Sequence, residues 1–389
     1  MELATRLAAL EALLRRFAPL WQAQPFKQTR PEWCEHYPDL SQALLALDDQ
    51  QLDQLGRDEA ALWSWLANRL PPLGELVSLC QLPSLQAPAK PTPGPHFANH
   101  IPGRKWQQIE AFAAAVDRPA APLLEWCGGK GHLGRLLAWQ HQQTVSTLER
   151  DPQLCRDGEQ LAGRTGVVQH FLQEDALTEA AHPHLAGRHV VALHACGELH
   201  RQLLRQAVAQ RLPAIHLAPC CYHHLNQGDY RPLSQQATLV LPHDALRLAV
   251  TGAVTAPARE LRLRDREMAW KLGYLSLWQD YRPLRPIDKA WLKGRFADFC
   301  RQLAAREGDT LPTEVDWLAL EQAGWQRQRE VMRLSLPRQG LRRAIELYLV
   351  LDMACYLVEQ GYQVVLSEFC ATALTPRNLL LSAVSRGVV

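Results

Sequence analysis

The segment Leu123-Leu124-Glu125-Trp126-Cys127-Gly128-Gly129-Lys130-Gly131-His132-Leu133-Gly134-Arg135 constrains this chain more than any other. An apolar run ends in an acid, breaks into glycines and passes into an apolar helical pattern. That order describes a strand feeding the first turn of a helix, where unpaired backbone N–H groups face a nucleotide-like ligand. It is also the opening of a βαβ unit, so an α/β fold with a helix-covered parallel sheet is expected.

The chain repeats the unit. Strand-like apolar runs at Pro122–Glu125, Thr144–Leu148, Val167–Leu172, Val190–His194 and Ile215–Ala218 alternate with helical segments. Leu341–Gln360 reads as one long amphipathic helix stopped by Gly361, and strand-like Gln363–Phe369 and Asn378–Val384 follow.

Two regions fall outside this alternation. From Leu3 to about Leu82 the pattern is helical, with Leu7, Leu10, Leu13, Leu14 and Phe17 on one face. Between Tyr222 and Leu341, helical runs at Arg259–Trp278 and Ala290–Leu303 interrupt the strands. The prolines of Gln86–Pro95 sustain neither a helix nor a central strand. The pattern predicts an N-terminal helical domain over 1–85, a linker over 86–100, a sheet domain over 101–225 and 341–389, and a mainly helical insertion over 226–340.

At 389 residues and 47% apolar content the chain can build such a two-part structure. A formal net charge of +2 leaves no global polyanion footprint, so any nucleic-acid contact must come from local clusters. The start Met1-Glu2-Leu3-Ala4-Thr5-Arg6 lacks the features of a secretory signal, and no apolar run reaches spanning length. A cytoplasmic protein without a membrane partner is expected. The ten cysteines lack paired C-x-x-C spacing, which predicts reduced and mostly buried thiols.

Gly129-x-Gly131-x-x-Gly134 matches the dinucleotide fingerprint, and Glu149 follows at about the distance of a ribose-binding acid. That spacing alone admits a nicotinamide-dependent oxidoreductase. Glu125 at the strand end points elsewhere: E-x-C-G-G-K-G resembles the E/D-x-G-x-G-x-G first motif of S-adenosylmethionine-dependent methyltransferases, with Cys127 in place of the first glycine. The zwitterionic end of that cofactor needs backbone N–H groups for its carboxylate and an oxygen acceptor for its ammonium. The expected contacts are Glu125, Cys127, Gly128, Gly129 and Gly131 in the loop, and Glu149 on the ribose hydroxyls. Asp175 and Ala176 of Glu174-Asp175-Ala176 are expected at the adenine, and His194 at the end of the fourth strand. Asp175 also suits the N-cap of a short helix from Leu177.

Three stretches make the resemblance more specific, namely CGGKGHLGR at Cys127–Arg135, ALHACGELH at Ala192–His200 and APCCYHH at Ala218–His224. They resemble a methyltransferase family that includes eukaryotic tRNA 2′-O-methyltransferases and the C-terminal domain of glutathione-S-transferase-C-terminal-domain-containing protein. Pro102-Gly103-Arg104-Lys105-Trp106 and Thr375-Pro376-Arg377-Asn378-Leu379 are flanking matches. The resemblance covers about Ile101–Leu225 and Ala344–Val384. It implies a seven-stranded, Rossmann-like class I methyltransferase core, S-adenosyl-L-methionine as cofactor, and an RNA substrate, tRNA or rRNA. A protein or small-molecule acceptor, and a non-catalytic module that keeps the cofactor pocket, are the alternatives.

Cys220, Cys221, His223 and Lys105 are the candidate catalytic residues. A thiolate at a strand end beside the crevice can attack a pyrimidine ring, with His223 lowering its pKa. The same Cys-Cys-His-His stretch occurs in ribose methyltransferases of the resembling family that need no covalent nucleophile, which makes it a pocket wall instead. A metal is not expected, because adjacent cysteines strain a shared tetrahedral site and the paired spacing is missing. Arg104 and Lys105 are placed to reach a phosphate, or else form a solvated helix start. The cations of Arg259–Lys271 alternate with Glu260, Asp265 and Glu267 as on an ion-paired face, and Trp270, Tyr274 and Trp278 recur at core spacing.

Overall fold

The computed structural model describes residues 1–87, 90–251 and 258–387. Pro88 and Ala89 of the expected linker and residues 252–257 of the expected insertion lie outside them. The chain divides into two compact units, the first made of Met1–Arg15, Ser78–Gly252 and Arg343–Val389, the second of Arg16–Val77 and Ala253–Arg342.

The first unit is built on a seven-stranded sheet in the order β3-β2-β1-β4-β5-β7-β6. Its strands are β1 Leu123–Trp126, β2 Val145–Glu149, β3 Gln169–Gln173, β4 His189–Cys196, β5 Ala214–Cys220, β6 Tyr362–Glu368 and β7 Leu379–Ser385. β1 to β5 are parallel, and β7 runs antiparallel between β5 and β6. The expected strands are all present, with ends moved by a residue or two. Because β2 and β3 lie to one side of β1 while β4 and β5 lie to the other, the strand order reverses at β1/β4, and a crevice opens at the carboxyl ends there.

Local chemistry explains the element boundaries. The Pro152–Thr165 helix starts with Asp151, whose carboxylate accepts from Gln153 N and Leu154 N, carries Pro152 in its first turn, and stops at Gly166. The Arg342–Glu359 helix differs from its expected amphipathic form. Side chains all round it are buried, from Ile345, Leu347 and Tyr348 to Val350, Leu351 and Met353, as in a helix enclosed on every side.

Such a helix must satisfy its own polar groups. Asp352, fully buried, accepts from Tyr230 Oη at 2.6 Å, Leu233 N at 2.9 Å and Ser234 N at 2.8 Å. Arg343 bridges Glu346 at 2.7 Å, Glu368 at 2.6 Å and Asn378 at 3.1 Å, tying the helix to β6 and to the entry of β7. The described part of the proline-rich stretch is also pinned to this unit: Phe97 is buried, and Lys90 Nζ donates to Val116 O at 2.6 Å.

The second unit is helical and draws on two distant parts of the chain. Trp270, Tyr274, Phe296, Phe299, Cys300 and Leu303 form its core, so Trp270 and Tyr274 are core residues, with Trp278 packed beside them. Arginines of the Trp317–Leu334 helix reach the N-terminal segment: Arg327 donates to Gln28 O at 2.7 Å, and Arg333 to Leu47 O at 2.7 Å and Asp49 at 3.0 Å. No helix among the described residues is long and apolar enough to cross a membrane.

Asp352→Ala is expected to cost about 3 kcal/mol or more in urea unfolding, since it leaves three buried donors without an acceptor. Asp352→Asn, which keeps one oxygen, is expected to recover part of that loss.

Candidate functional site

The site begins with the Glu125 carboxylate, 4% exposed at the end of β1. Its Oε2 accepts from Gly134 N and from Thr147 Oγ1, each at 3.0 Å. Gln169 Nε2 extends the network, donating to Thr147 Oγ1 at 2.7 Å and to Gly131 O at 2.9 Å. The glycine loop and the first turn of the His132–His141 helix are therefore tied to three adjacent strands. Gly134 is required for contact, because a Cβ there would lie 2.6 Å from Glu125 Oε2 and 2.9 Å from Thr147 Oγ1. Glu125 thus supports the loop from beneath. Burial raises its pKa to about 7 despite the hydrogen bonds from Thr147 and Gly134.

Gly129 has a different requirement. Its φ of +60° favours glycine, and no atom lies within 4 Å of the position a Cβ would take. This is the face of the loop that a ligand can approach. Gly129 N donates to Glu149 Oε2 at 3.0 Å, and Asp151 N to Glu149 Oε1 at 3.0 Å, so Glu149 closes the loop at the end of β2. Cys127 adopts φ +55° where the motif otherwise has glycine, and burial pushes its thiol up. Lys130 pairs with Asp157 at 2.7 Å and so faces the Pro152–Thr165 helix.

A cleft of about 510 Å³ lies beyond β2 and β3, lined by Arg150, Asp151, Pro152, Gln173, Glu174 and Asp175. Asp175 Oδ1 accepts from Leu177 N at 3.0 Å, and its carboxylate stands 3.8 Å from Arg150. It organises a turn, and the helix expected at Leu177 is absent: the next helical element is the 3-10 turn Glu179–Leu185. Ala176 is buried beneath that turn. Arg150 and Asp151 after β2, and Glu174 and Asp175 after β3, thus face one another across this cleft.

The opposite wall comes from β4 and β5. His194 sits at φ +65° beside an irregularity in the β4/β5 register, and its Nε2 pairs with Gln108 Oε1 at 3.1 Å. Cys196 and Cys220 are register partners with sulfurs 3.4 Å apart. Cys220 is 2% exposed, and its contacts with Cys196 and Cys221, together with burial, push its thiol up. Cys221 is half-buried, and its contacts with Cys196 and Cys220 lower its thiol. Cys221 is therefore the more acidic of the pair, and the buried Cys220 is poorly placed as a nucleophile. His223 stands close enough to Cys221 for their charges to interact.

Lys105 is exposed on the Gly103–Ala115 helix, and its charge acts on Glu125, His132 and His194. Arg104 turns away, donating to Ala373 O at 3.0 Å and Leu374 O at 2.6 Å, and so fastens the loop before β7 instead of reaching the crevice. Gln108, Thr147, Gln169 and Arg377 belong to the site without having been singled out for it from the sequence. Their roles depend on strand register and helix docking, and only Arg377, inside the Thr375–Leu379 match, carried a signal.

Glu149→Ala is expected to weaken S-adenosylhomocysteine binding at least ten-fold by calorimetry, about 1.4 kcal/mol, because it removes the ribose acceptor and frees Gly129 N. A loss smaller than two-fold contradicts this placement.

The buried histidines of the first unit also set a pH dependence. Burial lowers His132 and His189 to about 3, and His194, His200 and His216 to about 4, from an ordinary 6.5. In the window from 6.5 down to about 4 the unfolded chain takes up protons that the folded chain refuses, so these groups lose stability as pH falls. Glu125, raised from 4.5 to about 7, acts in the opposite sense, since the fold holds a proton that the unfolded chain releases. Five histidines outweigh one carboxyl. Unfolding free energy measured between pH 5 and 6 is expected to rise with pH; a flat profile is the contrary result.

Residues 104–228 match the family model of a methyltransferase domain. Among solved structures, the chain is similar to the cyclopropane synthase MmaA2 from Mycobacterium tuberculosis, at 12% identity over 72% of this chain and 82% of that one, with a TM-score of 0.25. The family match decides between the two cofactors that the glycine spacing admits: the protein is a methyltransferase, and its cofactor is S-adenosylmethionine.

Proposed function

We propose that this enzyme methylates RNA, tRNA or rRNA, in the cytoplasm. The observation that carries the reading is the set of basic side chains around the carboxyl edge of the sheet. Lys105 acts on Glu125 and His194, and Arg377 acts on His194, Cys196 and Cys221. Arg150 follows β2 directly, and Arg247 acts on His223. On a chain of nearly balanced charge, four cations at one crevice suit a phosphate backbone. The resemblance of Ala192–His200 and Ala218–His224 to tRNA 2′-O-methyltransferases supports the same substrate class. The free cysteines suit a reducing compartment.

When bound, S-adenosylmethionine supplies both the electrophilic methyl and its leaving group. The residues of the chain need only align the acceptor and exclude water. Glu125, through Gly134 and Thr147, keeps the loop rigid. Lys105 and Arg377 hold the substrate by its phosphates, and the wall of Cys196, Cys220 and Cys221 bounds the pocket opposite. No covalent attachment of the substrate is required.

With tritium-labelled cofactor and total RNA or protein extracts, label is expected in RNA. Lys105→Ala and Arg377→Ala are each expected to lower RNA labelling about ten-fold, roughly 1.4 kcal/mol, with unchanged S-adenosylhomocysteine affinity. Label confined to protein or to small molecules overturns the substrate class.

A further inference from the structure

The three sulfurs of Cys196, Cys220 and Cys221 lie within 4.8 Å of one another. Their convergence is unusual for the backbone that carries them. Cys220 and Cys221 are successive residues at the end of β5, and extended neighbours point to opposite faces of a sheet. Cys221 breaks that alternation with a φ of +45°, a left-handed conformation that a cysteine adopts only at a cost. The register shift between Leu193 and Cys196 sets Cys196 opposite Cys220. Two distortions, one on each strand, thus gather three thiols at one point.

We propose that Cys196, Cys220 and Cys221 bind Zn²⁺ through three thiolates. Zinc–thiolate bonds of about 2.3 Å in a tetrahedral arrangement separate the sulfurs by somewhat under 4 Å, so the 3.4 Å between Cys196 and Cys220 needs only a small adjustment. The strain that argues against adjacent cysteines as ligands is already absorbed by the left-handed backbone at Cys221. On coordination the sulfurs that still carry a proton give it to solvent, and the resulting anionic centre has cationic and imidazole neighbours. Arg377 acts electrostatically on both Cys196 and Cys221, and its Nε is buried without a hydrogen-bond partner among the described residues. His194 and His223, whose charges also interact with Cys221, each bury an Nδ1 likewise without a partner. Each of these nitrogens has a lone pair or proton left to offer, and water is the other donor open to the fourth position. Zinc here would stiffen the wall opposite the glycine loop.

The test uses the full chain, stripped with a chelator and kept reduced, and titrated with Co²⁺ as a spectroscopic substitute for Zn²⁺. A sulfur-to-cobalt charge-transfer band saturating at one equivalent and bleached by Zn²⁺ is expected. Cys196→Ser and Cys221→Ser should each weaken binding at least 100-fold while circular dichroism is retained, and Cys370→Ser should leave it unchanged. Absence of the band, or its persistence in Cys221→Ser, would overturn the proposal.

Discussion

One buried carboxylate organises the first unit. Glu125 joins β1 to Thr147 on β2 and to Gly134 at the start of the His132–His141 helix, and Gln169 on β3 completes the link. A carboxylate that accepts two hydrogen bonds in an apolar setting is costly to bury and more costly to leave unpaired. Glycine at 134 is the condition for that contact, since a side chain there would occupy the space of the carboxylate. The same glycine run thus serves two purposes. Gly134 admits support from within the protein, and Gly129 leaves one surface of the loop open.

The two walls of the crevice have contrasting chemistry. On the loop side, hydrogen bonds from backbone N–H groups to Glu125 and Glu149 fix the chain. On the β4/β5 side, thiols and imidazoles collect around Arg377. The backbone at His194 and Cys221 is left-handed there, and strain concentrated at a strand end beside a cofactor pocket is the usual mark of a functional constraint. Lys105 and Arg150 are exposed at the same carboxyl edge of the sheet.

Much of the sheet was legible because parallel strands buried on both faces read as apolar runs, and the helices between them carry ordinary caps such as Asp151 and Gly166. The Arg342–Glu359 helix was legible as a helix but not in its environment. Asp352, Glu346 and Arg343 read as solvent-facing positions in one dimension, whereas each is buried against a partner far along the chain, as Tyr230 is for Asp352. The union of residues 16–77 with 253–342 was equally hidden. It depends on carbonyl contacts from Arg327 and Arg333, and backbone acceptors leave no trace in side-chain patterning.

The sequence by itself determined the strand-to-helix glycine turn, and with the acids at 125 and 149 it narrowed the cofactor to two. These are local features, in which residue type dictates backbone conformation within a few positions. Only the tertiary structure decided that Glu125 braces the loop, that Asp175 organises a turn, that Arg104 faces away from the crevice, and that three cysteines meet at one point. Each of those outcomes depends on strand register and left-handed backbone at single residues, and the energies involved arise from groups brought together across long stretches of chain.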